Sequence, residues 1–191
     1  VSFSAKKGET IAFIGSTGSG KSTLINLIPR FYDVTEGSIR IDGIDVRKFN
    51  LKALRKKIGF IRQKNLLFTG TIKSNIKFGK PHATHDEVEN SAKIAQAYDF
   101  ITTKEKGFDE PISEGGSNVS GGQKQRLSIA RALVRKSEIY IFDDSFSALD
   151  FKTDAILRKA LKKETKDAIV LIVAQRIGSI MDADKIIVLD E

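Results

Sequence analysis

The sequence predicts an α/β fold with a largely parallel central sheet. Short apolar runs with strand character are separated by longer segments with helical spacing, an order typical of parallel sheets. One such run, residues 10–14, leads into a glycine-rich loop and then into the helical pattern of residues 24–28. Residues 37–46 instead alternate around an Asp-Gly pair, which predicts an antiparallel β-hairpin beside the main sheet.

The other elements follow in chain order, with a short basic helix at 51–57 and a strand at 58–61. Strand patterns then disappear between 63 and 136, where helical spacing covers 84–97 and 120–135. The last part of the chain returns to the α/β pattern, with strands at 139–142, 169–173 and 185–189 and a helix at 151–165. We therefore predict one domain over 1–191, with an α/β core formed by 1–62 and 139–191 and an inserted helical subdomain over 63–138.

Composition narrows the class of protein. The 191 residues, 40% of them hydrophobic, suffice for one domain with its own core. The absence of cysteine excludes disulfides, and two histidines argue against a transition-metal site. The net charge of +8 comes from segments in which bases and acids alternate, which favours solvated helix faces over a nucleic-acid surface. The chain begins at Val1 and stops after a strand-like run, so we expect a domain truncated at both ends.

The glycine-rich loop matches the phosphate-binding pattern G-x-x-x-x-G-K-[ST]. Glycines let the backbone wrap around a phosphate chain with its N–H groups pointing inward, and the following helix adds partial positive charge. A glycine-rich turn without a ligand is the weaker alternative, because the lysine, the serine and both flanking elements are present. The predicted nucleotide-binding residues are Gly15, Ser16, Thr17, Gly18, Ser19, Gly20, Lys21, Ser22 and Thr23.

Two further patterns suit a nucleotide site. Asp143 ends an apolar strand pattern and offers a hard oxygen to a Mg²⁺ ion on the phosphates, directly or through water. Ser120 and Gln123, which enclose Gly121 and Gly122, form an S-x-x-Q capping box at the start of an amphipathic helix. The same segment offers bare N–H groups to a phosphate, and both interpretations can hold at once.

The chain resembles the nucleotide-binding domains of ABC transporters over nearly its whole length. The resemblance is carried by three motifs in a fixed order, namely the glycine loop, the S-G-G-Q helix and the run I-F-D-D. The resemblance implies a RecA-like P-loop NTPase core that binds ATP and Mg²⁺, with Ser22, Gln63 and Asp143 at the metal. Gln63 occupies the Q-loop position of that family. Residues 30–33, 67–76 and 114–118 are similar to the exporter branch.

The resemblance also implies partners. A second nucleotide-binding domain, expected to be a different chain, would form a head-to-tail dimer in which the signature Ser120, Gly121, Gly122 and Gln123 acts on the ATP of the partner. The turn formed by Ser147, Ala148, Leu149 and Asp150, the D-loop, would cross that interface. The segments from Gln63 to Ile72 and around Glu114 would face the coupling helices of transmembrane domains, which places the chain at the cytoplasmic face of the cell membrane. No nucleic-acid partner is expected.

Two positions depart from the family pattern. Asp144 stands where active members carry the glutamate that polarises the attacking water, and aspartate is one methylene shorter. Gln175 stands at the position of the switch histidine, and its amide can donate a hydrogen bond but cannot become cationic. Because both changes fall on the γ-phosphate side while Lys21, Ser22 and Asp143 are kept, we predict ATP binding with slow hydrolysis. The chain would then be the subunit that carries the degenerate site of a heterodimeric exporter.

Two other functions stay open at the level of sequence. One is a non-transport ABC-type ATPase that acts on DNA or the ribosome, for which the net charge of +8 is the argument. The other is a regulatory nucleotide-binding module that does not hydrolyse ATP.

Overall fold

A five-stranded parallel sheet organises the computed structural model, which describes residues 1–175, 178 and 180–190. Its strands are β1 (Thr10–Gly15), β4 (Ile58–Ile61), β7 (Ile139–Asp143), β8 (Ile169–Val173) and β9 (Lys185–Leu189). They lie in the order β4-β7-β8-β1-β9, and every pair is parallel. The predicted α/β fold class with its parallel sheet is confirmed.

Apolar side chains cover both faces of the sheet, as expected for parallel strands. Along β1, Ile11 and Phe13 pack in one core with Ile25 and Leu54, from the helices α1 (Lys21–Asn26) and α2 (Leu51–Lys56). The alternate residue Ala12 belongs to a second and larger core on the opposite face. Because successive side chains of a strand point to opposite faces, one apolar run supplies both cores.

The larger core contains the helices α3 (Ile72–Lys77), α4 (His85–Ile94), α5 (Tyr98–Thr102), α6 (Gly121–Leu133) and α7 (Phe151–Glu164). The apolar side of α6 carries Leu127, Ala130 and Leu133, all buried, as its spacing predicts. Capping boxes begin α4 at Thr84 and α6 at Ser120, so the local sequence fixes where these helices start.

The hairpin predicted at 37–46 is present as β2 (Arg40–Ile41) and β3 (Ile44–Asp45), with Asp42 and Gly43 at positive φ as the turn requires. The prediction that strands are absent between 63 and 136 is wrong. Strands β5 (Gly70–Thr71) and β6 (Pro111–Ile112) form a second antiparallel pair there. Unlike β2 and β3, which a two-residue Asp-Gly turn joins, β5 and β6 are about 40 residues apart in sequence, so no local turn signal marked their pairing. The subdivision of the chain into a core and a helical subdomain stays a prediction.

Candidate functional site

A cleft of about 540 Å³ lies where strands β1, β7 and β8 end at their carboxyl edge. This edge is where open parallel sheets bind ligands, because the loops that leave the strands diverge there. All but one of the predicted nucleotide-loop residues border the cleft, together with four other predicted catalytic and metal-site residues. The predicted residues at the cleft are Gly15, Ser16, Thr17, Gly18, Gly20, Lys21, Ser22, Thr23, Gln63, Asp143, Asp144 and Gln175.

The loop from β1 to α1 depends on glycine in two different ways. Gly15 has φ +150°, and a Cβ atom there would lie 2.1 Å from the carbonyl oxygen of Leu189 on the neighbouring strand. Gly20 has φ +86° and precedes α1 without any side-chain cap on the first N–H groups of the helix. The first glycine therefore permits close strand packing, and the second turns the chain so that uncapped N–H groups lie at the cleft.

Lys21 is almost fully buried, and its ammonium group folds back on the loop. It donates hydrogen bonds to the carbonyl oxygens of Gly15, at 2.8 Å, and of Ser16, and to Ser19 Oγ at 3.1 Å. Ser19, the one predicted loop residue that does not border the cleft, thus takes part through the lysine. An ammonium held by neutral acceptors keeps its full charge available for an anion.

A hydroxyl and a carboxylate meet at the floor of the cleft. Ser22 Oγ donates to Asp143 Oδ1 at 2.9 Å, which joins the start of α1 to the end of β7. Burial raises the pKa of Asp143 above its usual range, and the Ser22 hydrogen bond partly opposes that shift. A nearby cation would stabilise the charged form of a desolvated carboxylate. The carboxylate and the hydroxyl are also the hard oxygen donors that Mg²⁺ prefers.

Asp144, which also lines the cleft, accepts hydrogen bonds from two side-chain amides. Its Oδ2 accepts from Gln63 Nε2 at 3.0 Å and from Gln175 Nε2 at 3.1 Å. Asp144 is buried and has φ +45°, a left-handed conformation that aspartate tolerates better than most residues. The predicted Q-loop and switch positions therefore meet at the residue predicted to limit hydrolysis. Gln63 turns its amide nitrogen to Asp144 and not to the Ser22–Asp143 pair.

Comparison with known proteins decides the family. The sequence pattern of the family described as "ABC transporter" matches residues 1–147. The chain belongs to the ABC transporter family. Within it, the glycine loop and the parallel sheet identify the chain as a nucleotide-binding domain of the ABC type.

Individual relatives agree with this assignment. Proteins of Staphylococcus aureus strain COL and of a bovine strain, named as multidrug export ATP-binding/permease proteins, are each 50% identical over 190 residues, covering 100% of this chain and 33% of their own length. A solved bacterial Atm1-family ABC exporter with ATP bound superposes with a TM-score of 0.93 at 39% identity, over 96% of this chain and 32% of that one. The chain thus spans about a third of the length of the relatives it matches.

The S-G-G-Q signature of this ABC domain lies away from the cleft. Ser120 caps α6 by accepting from the N–H of Gln123, which returns a hydrogen bond to the Ser120 N–H, so the predicted capping box is present. Gly122 packs against the D-loop, since a Cβ atom there would lie 3.2 Å from the carbonyl oxygen of Ala148. Asp150 caps α7 through the N–H of Thr153 at 2.9 Å, and this bond lowers the pKa of Asp150. Among the residues that line the cleft, none comes from the signature or from the D-loop.

A second groove, of about 430 Å³, was missed by sequence reasoning. Phe31, Phe60, Leu66, Phe68 and Phe78 give it an apolar lining. Four basic residues also line the groove, namely Arg62, Lys64, Arg131 and Arg135. Within the described part of the chain, no acidic residue lines it. Its residues come from four separate stretches of sequence, so only an interleaving of charged and aromatic residues around position 62 could have hinted at it.

No group of three or more His, Cys, Asp or Glu residues is placed to hold a metal ion within residues 1–175, 178 and 180–190. Over the same residues, every helix is too short or too polar to cross a bilayer.

Proposed function

We propose that this chain binds ATP with Mg²⁺ in the cleft at the edge of the sheet, as the nucleotide-binding domain of an ABC exporter. The observation that carries the proposal is the convergence of the glycine loop, Lys21 and the Ser22–Asp143 pair on one cleft. The names of the relatives, which are exporters and multidrug export proteins, support transport over the DNA, ribosome and regulatory alternatives.

The residues of the cleft have distinct tasks in this proposal. Lys21 exchanges its carbonyl acceptors for the β- and γ-phosphates, since its present partners are neutral and a phosphate is charged. Ser22 and Asp143 supply oxygen ligands to Mg²⁺, directly or through water, and the side-chain oxygen of Gln63 completes the set. The bound Mg²⁺ would neutralise charge on the phosphates. The uncapped N–H groups after Gly20 bind the phosphate oxygens.

Hydrolysis at this site is slow in our proposal. Asp144 occupies the base position, and its short side chain is engaged by the amides of Gln63 and Gln175. An amide at position 175 does not become protonated, so it supplies no positive charge to the γ-phosphate. A catalytic group misplaced by roughly 1 Å can lose on the order of 10²-fold in rate.

A second ABC domain, expected to be a different chain, completes each nucleotide site. The signature Ser120, Gly121, Gly122 and Gln123 lies outside the cleft of its own chain and leaves Gly121 exposed, as a surface that meets a partner requires. The adjoining D-loop, Ser147 to Asp150, would contact the partner at the same interface. Its packing against Gly122 lets the two motifs present one continuous surface.

Transmembrane domains would contact the groove and the segments from Gln63 to Ile72 and around Glu114. These two segments are neighbours, because β5 pairs with β6 and because a Cβ atom on Gly116 would lie 3.1 Å from Leu67 Cδ1. Exposed Leu66 and Phe78 offer apolar contacts on the same side. We therefore place the chain at the cytoplasmic face of the cell membrane, without a nucleic-acid partner.

The binding proposal is tested by titrating the full-length protein with a fluorescent ATP analogue and Mg²⁺. Lys21→Ala removes charge-assisted hydrogen bonds worth about 1.5–3 kcal/mol, so we expect Kd to rise by roughly 10- to 100-fold. Lys56→Ala, an exposed lysine away from the cleft, is the matched control and leaves Kd unchanged. Equal affinities for the Lys21 variant and the wild type would refute the assignment of the cleft.

A further inference from the structure

Arg131, in the middle of α6, is the centre of a polar network outside the nucleotide cleft. Its guanidinium donates to the backbone carbonyl of Asn75 at 2.8 Å, to Asn75 Oδ1 at 2.8 Å and to the carbonyl of Leu66 at 2.9 Å. It also lies against the rings of Phe68 and Phe78, at 5.2 and 5.8 Å from their centroids. One side chain thus connects α6, α3 and the segment that follows Gln63.

The partners of Arg131 are themselves held in place. Asn75 is almost fully buried, donates to the carbonyls of Phe68 and Thr71, and accepts from the N–H of Phe68 at 2.9 Å. Each acceptor of the guanidinium is therefore a backbone group or a side chain that is already fixed. Burial lowers the pKa of Arg131 to about 10, so it stays charged at neutral pH and its hydrogen bonds are charge-assisted.

The backbones of the two helices also meet at this point. A Cβ atom on Gly79, just after α3, would lie 1.9 Å from the carbonyl oxygen of Arg131, so only glycine permits this approach. Neither α3 nor the 66–68 segment can therefore shift against α6 without breaking these contacts. The signature lies at the start of the same helix, and its Gly121 is ten residues before Arg131.

We propose that Arg131 is a positioning residue that makes the signature helix and the segment after Gln63 move as one body. Displacement of the groove lining by a docked membrane domain would then carry the signature toward or away from the ATP of the partner. This inference rests on the proposed function, because it needs a signature that acts on a second domain. Arg131 lies outside the nucleotide cleft and therefore acts only through α6.

The test uses the full-length transporter assembled with its partner in lipid nanodiscs. Arg131→Lys keeps the positive charge but loses the forked donors that reach Leu66 and Asn75 together. The matched control is Arg40→Lys, the same substitution at an exposed arginine of β2 that lines neither the groove nor the nucleotide cleft. We measure kcat and KM for ATP, Kd for MgATP, and hydrogen exchange across the domain.

For Arg131→Lys we expect kcat to fall by about tenfold or more, as misplacement of a distant catalytic element does, while Kd for MgATP changes by less than about twofold. Hydrogen exchange rises only over residues 66–78 and 121–133, and Arg40→Lys behaves as the wild type. An unchanged kcat would overturn the inference, as would a loss of kcat accompanied by faster exchange of the whole domain, which marks a purely structural residue. Failure of the wild type to bind or turn over ATP would refute the proposed function instead, so the two failures are distinguishable.

Discussion

The substitution of Asp144 by glutamate should accelerate ATP hydrolysis at this site. The carboxylate of Asp144 accepts at 3.0 Å from Gln63 and at 3.1 Å from Gln175, so it is held at the wall of the cleft. One added methylene, with a bond of about 1.5 Å, lets the carboxylate reach roughly 1 Å further from the backbone. A displacement of that size is worth on the order of 10²-fold in rate, or about 2.7 kcal/mol of activation free energy.

The backbone conformation at position 144 makes the glutamate variant slightly less stable. Asp144 has φ +45°, and a residue without the short polar side chain of aspartate pays roughly 1–2 kcal/mol in that region. This cost lowers the free energy of unfolding but does not change the chemical step, so it shows in melting experiments and not in the rate. Combining Asp144→Glu with Gln175→His supplies an ionisable donor at the second position and should increase the gain.

Single-turnover hydrolysis by the assembled full-length protein provides the assay, with Kd for MgATP measured separately so that binding and chemistry are distinguished. In a heterodimer with a competent partner, ADP formation should rise from one site per dimer to both. Asp144→Asn, which keeps the length but removes the charge, serves as the control and should leave this site inactive. If the wild type hydrolyses ATP at this site as fast as the double variant, the reasoning from side-chain length is wrong.

Two other substitutions separate folding from function. Gly121→Ala should leave the free energy of unfolding within about 1 kcal/mol of the wild type, because a Cβ atom there meets nothing within 4 Å and alanine favours helices. ATP turnover by the assembled transporter should nevertheless fall, because the signature requires bare backbone at the partner's phosphates. Asp143→Asn should stabilise the nucleotide-free domain at neutral pH, since it removes a desolvated charge, while it weakens Mg²⁺-dependent ATP binding.

The sign of the Asp143 effect follows from its raised pKa. The folded state binds the proton more tightly than the unfolded state, so the stability contributed by this group falls as pH rises from the ordinary aspartate pKa through the raised value. Thermal melting of wild type and Asp143→Asn across that range measures the difference, which should grow with pH. A difference in melting temperature that does not change with pH would show that the Asp143 carboxylate is not desolvated. For Gly121→Ala, ATP turnover equal to that of the wild type would show that the signature tolerates a methyl group.

The sequence by itself determined the local features of this protein. Glycine spacing and Lys21 specified the phosphate loop, Ser120 and Gln123 specified the start of α6, and the alternation of apolar runs specified a parallel sheet. Each of these depends on neighbours within a few residues, where propensity and capping chemistry act directly. The prediction that Asp144 and Gln175 depart from the family pattern likewise came from the sequence alone.

Only the tertiary structure decided which distant groups meet. It showed that Gln63, Asp144 and Gln175 share one carboxylate oxygen and that Arg131 connects α6 to the 66–68 segment. It also formed the basic aromatic groove and the two-residue strands β5 and β6. These three hydrogen bonds join residues that are 31, 65 and 81 positions apart, and they are set by the packing of helices on the sheet. No local pattern encodes that packing, because the same short segments could pack in many other arrangements.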